Sequence, residues 1–204
     1  PMSFDGYTFD SAYAFNAKFG TNWQANIEPD GSTVLYLYYQ ANVVNYTVYV
    51  YRVGADGLVH NGGPGADGTP TGGDPMILVT DVLTGDVDDT VSIDGTTYIN
   101  LPGYFYYPSY TYTEEGETEP KYKEVRSGVI TADGGLELFL FAQARTGIEF
   151  EVHHWKENTA NPNGFEYIVT IETGEAGVYY DGVDYLRQDI IDSGYSYNPT
   201  LTAT

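Results

Sequence analysis

The chain has 204 residues, of which 42% are apolar, 16% aromatic and 18% charged, with 29 acids against 8 bases and no cysteine. A formal charge of −21 repels phosphate backbones and anionic lipid, which excludes nucleic-acid binding and membrane-surface binding. Without cysteine there is no disulfide framework, thiol catalysis or thiolate zinc site, and no apolar run reaches the 18 residues of a membrane-spanning helix.

Tyrosine (21 residues), valine and threonine favour strands, and 24 glycines supply the turns between them. In chain order, strands are predicted at 33–41, 45–53, 76–84, 136–143, 149–156 and 166–173. Asp30-Gly31 and Asp133-Gly134 each precede a strand and read as tight hairpin turns. A Gly/Pro-rich loop is expected at 54–75 and a polar excursion at 113–124. Short helices are allowed within 87–99 and 176–191, interrupted by Gly95 and Gly182. The fold class is therefore mainly β, α+β at most.

The chain also repeats itself. Ile27-Glu-Pro-Asp30-Gly31 through Leu35-Tyr-Leu37-Tyr-Tyr-Gln40-Ala41 matches Ile130-Thr-Ala-Asp133-Gly134 through Leu138-Phe-Leu140-Phe-Ala-Gln143-Ala144 at a constant offset of 103. Tyr46-Thr-Val48-Tyr-Val50 then matches Phe150-Glu-Val152-His-His154. Leu78 through Thr84-Gly85 matches Tyr167 through Thr173-Gly174, and Gly103-Tyr104-Phe-Tyr106 matches Gly194-Tyr195-Ser-Tyr197 and, earlier, Gly6-Tyr7-Thr-Phe9. Residues 35/138, 37/140, 46/150 and 48/152 stay apolar at the strand period of two, so they mark one buried face. A period of roughly 100 residues makes these domain-sized units, elongated in tandem.

Candidate sites are few. Tyr104, Tyr106, Tyr110 and Tyr112 fall at even spacing around Pro108, and on one sheet face they would form a platform for stacking on sugar rings. The competing reading is cross-strand packing that stiffens the sheet. Asp86, Asp88 and Asp89 are the candidate calcium ligands, since clustered carboxylates on a bent loop suit a hard cation. Gly62-Gly-Pro-Gly65-Ala-Asp67 fits the start of a calcium-binding nonapeptide, although a mobile loop is the better reading. His153 and His154, adjacent on a strand, point to opposite faces and do not share one metal ion. Trp23 and Trp155 are read as core. Ser127-Gly128 and Ser193-Gly194 read as turns rather than as nucleophile elbows, and no catalytic constellation is found, so the chain is not expected to be an enzyme. No cofactor is expected beyond calcium.

Pro29-Asp-Gly-Ser-Thr33 followed by Val34-Leu-Tyr-Leu-Tyr-Tyr-Gln40 and Asn45-Tyr-Thr-Val48 resembles the MucBP-type (mucin-binding-protein) and listeria–bacteroides-like repeats of Gram-positive surface proteins. Phe150 through Asn158, Glu172-Thr-Gly174 and Gly194 through Pro199 extend that resemblance. It implies tandem β-grasp-like units in an extracellular protein of the bacterial cell surface or cell wall, a stalk or spacer and also an adhesin for host glycans or proteins. The alternative is a filament subunit joined to a head-to-tail copy by strand complementation. Its partners would be neighbouring repeats of the same protein. Two divisions of the chain are open: 1–102 and 103–204, favoured because the chain starts and stops at one phase, or the family's usual 1–42, 43–144 and 145–204.

Overall fold

The structure, a computed structural model, describes residues 3–10, 26–59, 76–113, 116–158, 160 and 164–198. It is mainly β, in several small sheets with a few short helices. In chain order the strands are β1 (Tyr7–Phe9), β2 (Tyr39–Ala41), β3 (Val43–Val53), β4 (Ile77–Asp86), β5 (Thr90–Ser92), β6 (Tyr104–Tyr106), β7 (Thr111–Tyr112), β8 (Tyr122–Lys123), β9 (Ser127–Val129), β10 (Glu137–Ala144), β11 (Ile148–Asn158) and β12 (Gly164–Gly174). Helix α1 covers Gly95–Tyr98, a 3-10 turn Gly182–Tyr185, and α2 Gln188–Asp192.

The largest sheet has the order β4-β3-β10-β6. β3 and β4 form an antiparallel hairpin, and β10 lies parallel to β3, from Glu137 opposite Thr47 to Gln143 opposite Val53. β6 closes the other side of β10 in antiparallel fashion. The central pair is fully buried on one face and half-buried on the other. Tyr46, Val48, Val50, Leu138, Leu140 and Ala142 pack with Ile99 and Ile130 on one face. Val53 and Phe141 pack with Tyr110 on the other. The remaining sheets are the two-stranded pairs β1-β2, β5-β9, β7-β8 and β11-β12.

Five of the six predicted strands are present. The exception is 33–41, where only Tyr39–Ala41 is strand. A strand needs a paired neighbour, and among the described residues no strand pairs with 33–38, although the Asp10 N–H donates to the Tyr38 carbonyl at 3.0 Å. Leu35 and Leu37, expected in the core, are 52% and 51% exposed, whereas Leu138 and Leu140 are fully buried. The Asp-Gly turns form, with Gly31 and Gly134 in the left-handed region and their N–H groups donating to the Glu28 and Thr131 carbonyls. The Asp133-Gly134 turn is not a hairpin, however: β9 before it pairs with β5, and β10 after it pairs with β3 and β6, while among the described residues no paired strands adjoin Asp30-Gly31.

Gly95 and Gly182 start helical turns instead of interrupting them. The Asp94 carboxylate accepts from the Thr96 N–H, and the Asp181 carboxylate from the Val183 N–H. A Cβ at Gly95 would collide with the Tyr106 ring, so glycine lets β6 pack against α1. Ser127-Gly128, read as a turn, is strand β9, where Gly128 makes room for Leu136. The polar excursion at 113–124 lies largely between the short paired strands β7 and β8. Most of the 54–75 loop, including His60 and the glycine-rich run 62–68, lies outside the described residues, as does Trp23. Trp155, expected in the core, is 62% exposed because β11 pairs only with β12 among the described strands.

Candidate functional site

Two strand junctions are built alike from residues about 100 positions apart. In the first, the Gly6 carbonyl accepts from the Asn42 N–H at 2.8 Å, and the Asn42 carbonyl from the Val87 N–H at 3.0 Å. In the second, the Gly103 carbonyl accepts from the Arg145 N–H at 2.8 Å, and the Arg145 carbonyl from the Ala176 N–H at 3.0 Å. Gly6 and Gly103 are both left-handed, at φ +77° and +82°. A Cβ on Gly6 would come within 2.6 Å of Val87 Cγ1, and one on Gly103 within 3.0 Å of Ala176 Cβ. The next residues, Asp88 and Gly177, are left-handed as well, at φ +68° and +76°. The Tyr7 hydroxyl donates to the Asp88 carboxylate at 2.6 Å, and the Tyr104 hydroxyl fills the space a side chain at Gly177 would need.

The flanking strands share their registers too. Tyr7 stands opposite Ala41 as Tyr104 stands opposite Ala144. Tyr46 stands opposite Leu83 as Phe150 stands opposite Glu172. After each hairpin comes an Asp-Gly-capped helical turn ending in tyrosine, Tyr98 in one case and Tyr185 in the other.

Arg52 locks the second junction. It is 3% exposed, and its Nε and Nη2 donate to the Ala176 carbonyl at 3.2 and 3.0 Å. Nη2 also pairs with Glu175, whose carboxylate accepts from the Ala55 N–H at 3.1 Å. A buried guanidinium needs such satisfaction on all sides. Sequence reading passed over Arg52; its one signal was a lone cation inside an apolar strand.

The four tyrosines proposed as a platform are divided between two faces. Tyr104 and Tyr106 pack against the core containing Leu138 and Leu140. Tyr110 is 6% exposed, with its ring 4.6 Å from that of Phe141, and Tyr112 stacks on Tyr122 on that same face. Burial pushes the Tyr110 hydroxyl up to about 12; the Val59 backbone approaches it and acts the other way, short of a well-formed hydrogen bond. The aromatic surface that does form was not singled out from sequence. Tyr49, Phe139 and Tyr51 stack in a row at 5.7 and 5.9 Å, continuing to Tyr122 and Tyr112. Its signal was the odd-numbered aromatics alternating with the core residues of β3 and β10.

Asp86, Asp88 and Asp89 do not gather as a cation site. Asp88 is engaged by Tyr7, which raises the Tyr7 hydroxyl's pKa through that hydrogen bond, and the Asp89 N–H donates to the Asp86 carbonyl in a turn. Among the described residues no three His, Asp or Glu side chains converge to hold a metal. His153 binds the Glu151 carboxylate and stacks on Tyr167, while His154 meets Thr170, so the two histidines point apart. An open groove of roughly 740 Å³ runs between α1 and β6, lined by Ile99, Leu101, Pro102, Tyr104, Tyr106 and Arg145 among others. No helix among the described residues is long and apolar enough to cross a membrane.

Comparison with family models, with curated proteins and with solved structures returned no match.

Proposed function

We propose that this chain is a non-catalytic spacer from the stalk of a bacterial cell-surface protein, built of tandem β-grasp-like units. The observation that carries the reading is the parallel pairing of β3 with β10. Because the two strands run the same way, the start of β3 and the end of β10 lie at opposite ends of one sheet. Chain therefore enters the unit at Asn42 and leaves it at Arg145, a strand length away: about 36 Å for the eleven residues of β3. A unit threaded end to end adds length with each copy, which is what a spacer requires.

The alternating hairpin, helix and outer strand, with the last strand parallel to the first, follow the β-grasp order and agree with the MucBP-like resemblance. This sheet takes two strands from each side of Pro102. The unit proposed is therefore 43–144, with 1–42 as the trailing part of one neighbour and 145–204 as the leading part of the next. The matched junctions at Gly6 and Gly103 support the same unit on either side.

Small-angle scattering tests the reading. One unit with a part-unit at each end should give a radius of gyration above about 22 Å, whereas a single globule of this length gives about 17 Å. A value near the lower figure would remove the spacer.

A second, adhesive reading is favoured by the half-buried Tyr49–Phe139–Tyr51–Tyr122 stack, which offers ring faces to a sugar. A multivalent glycan array on which Tyr49→Ala and Tyr51→Ala lose binding would support it; an array blank for the unaltered chain would end it.

A further inference from the structure

β11 and residues 34–40 are the sequence counterparts of β3 and β10, yet they lie apart in the structure. The β3–β10 register, carried across at offsets of 104 and 103, places Val34 opposite Glu151, Leu35 opposite Val152, Leu37 opposite His154 and Gln40 opposite Glu157. Leu35 and Leu37 would then face the side of β11 where Phe150 already packs on Tyr180 and Tyr185. Tyr36 and Tyr38 would meet His153 and Trp155, as Phe139 and Phe141 meet Tyr49 and Tyr51.

Both halves display the surface such pairing would cover. Val34, Leu35 and Leu37 are each more than half exposed, as are Trp155, Tyr167 and Ile171 on the hairpin. Among the described residues, β11 has a strand on one edge alone. An exposed apolar edge of this kind is a template for another strand. β2 already carries β1 on its far side, in the register with which β10 carries β6.

We propose that residues 34–40 of one copy of this chain pair in parallel with β11 of a second copy, head to tail. The joint sheet would have the order β12-β11-β2-β1, repeating β4-β3-β10-β6. The occupant is a second copy because residues 34–41 and 148–174 hang from opposite ends of the 43–144 sheet, so the two segments within residues 1–204 stay a sheet length apart. The proposal rests on the repeat reading given above and adds the partner and its register.

The chain contains no cysteine, so single cysteines can report the register. Parallel neighbours lie about 5 Å apart, within the range a disulfide spans. One chain carries Val34→Cys, and its partner carries Glu151→Cys or the off-register Glu157→Cys. On oxidation the first mixture should form the mixed dimer at least about ten times faster than the second. Equal rates, or no mixed dimer, would overturn the proposal. Sedimentation of the unaltered chain should show larger species as concentration rises. They should increase further with salt, which screens the −21 charge of each copy. Leu37→Asp, at an exposed position outside the core, should abolish them. An extended chain that stays monomeric at every concentration would defeat this proposal and leave the spacer standing; a compact chain with in-register crosslinks would do the reverse.

Discussion

Val48 and Val152 hold the same place in two hairpins of equal register, but Val48 is fully buried and Val152 is half-exposed. The difference lies in the neighbour. β3 has β10 beside it and α1 across its face, so Leu138 and Leu140 close over Val48 and Val50. β11 has the hairpin strand β12 and the 3-10 turn, and Trp155, Ile168 and Ile171 stay open to solvent. A residue's letter fixes which face of a strand it occupies; a third strand decides whether that face becomes a core.

The comparison breaks most sharply at the paired leucines. Leu140→Ala should destabilise the chain by about 2–5 kcal/mol, while Leu37→Ala should change the stability of dilute protein by less than about 0.5 kcal/mol. Urea unfolding of both variants checks this, and equal losses would show that 33–38 is packed as β10 is. Next in size is Arg52→Ala, which strips the Ala176 carbonyl and Glu175 of their partner at the second junction. A loss of about 2–3 kcal/mol is expected, seen as faster amide exchange across β11 and β12. Gly6→Ala and Gly103→Ala should each cost about 1–2 kcal/mol, because both force a side chain into the left-handed region against an apolar neighbour. Similar losses at the two sites sharpen the equivalence of the junctions; a loss at one alone weakens it.

The smallest effect expected is of opposite sign. Tyr110→Phe removes a buried hydroxyl that makes no well-formed hydrogen bond among the described residues and should stabilise by up to about 1 kcal/mol at neutral pH. The gain should grow above pH 10. Tyr110 ionises near 10 in the unfolded chain and at about 12 when folded, so its contribution is complete below pH 10 and is lost as pH rises toward 12. Urea midpoints between pH 8 and 12 would reveal it as a shallower alkaline decline in the variant.

Much of this fold was legible in the sequence because strand signals are local. Alternating apolar residues located β3, β4, β10, β11 and β12. What stayed hidden was long-range. The parallel contact of β3 with β10 joins residues about 90 apart and leaves no local mark, so nothing in the sequence signals that one sheet takes strands from both sides of Pro102. The even spacing of Tyr104 to Tyr112 suggested one face, but Pro108 and Ser109, the latter at φ +57°, turn the chain between the two pairs. Arg52 could not be recognised as a junction residue before Glu175 and Ala176 were placed beside it.

Cooperative folding of excised segments tests the phase of the repeat most directly. Residues 43–144 alone should unfold in a single sharp urea transition with dispersed amide signals, while 1–102 and 103–204, each holding half of the four-stranded sheet, should not fold separately. If 1–102 and 103–204 each folded cooperatively and 43–144 did not, the unit described here would be wrong.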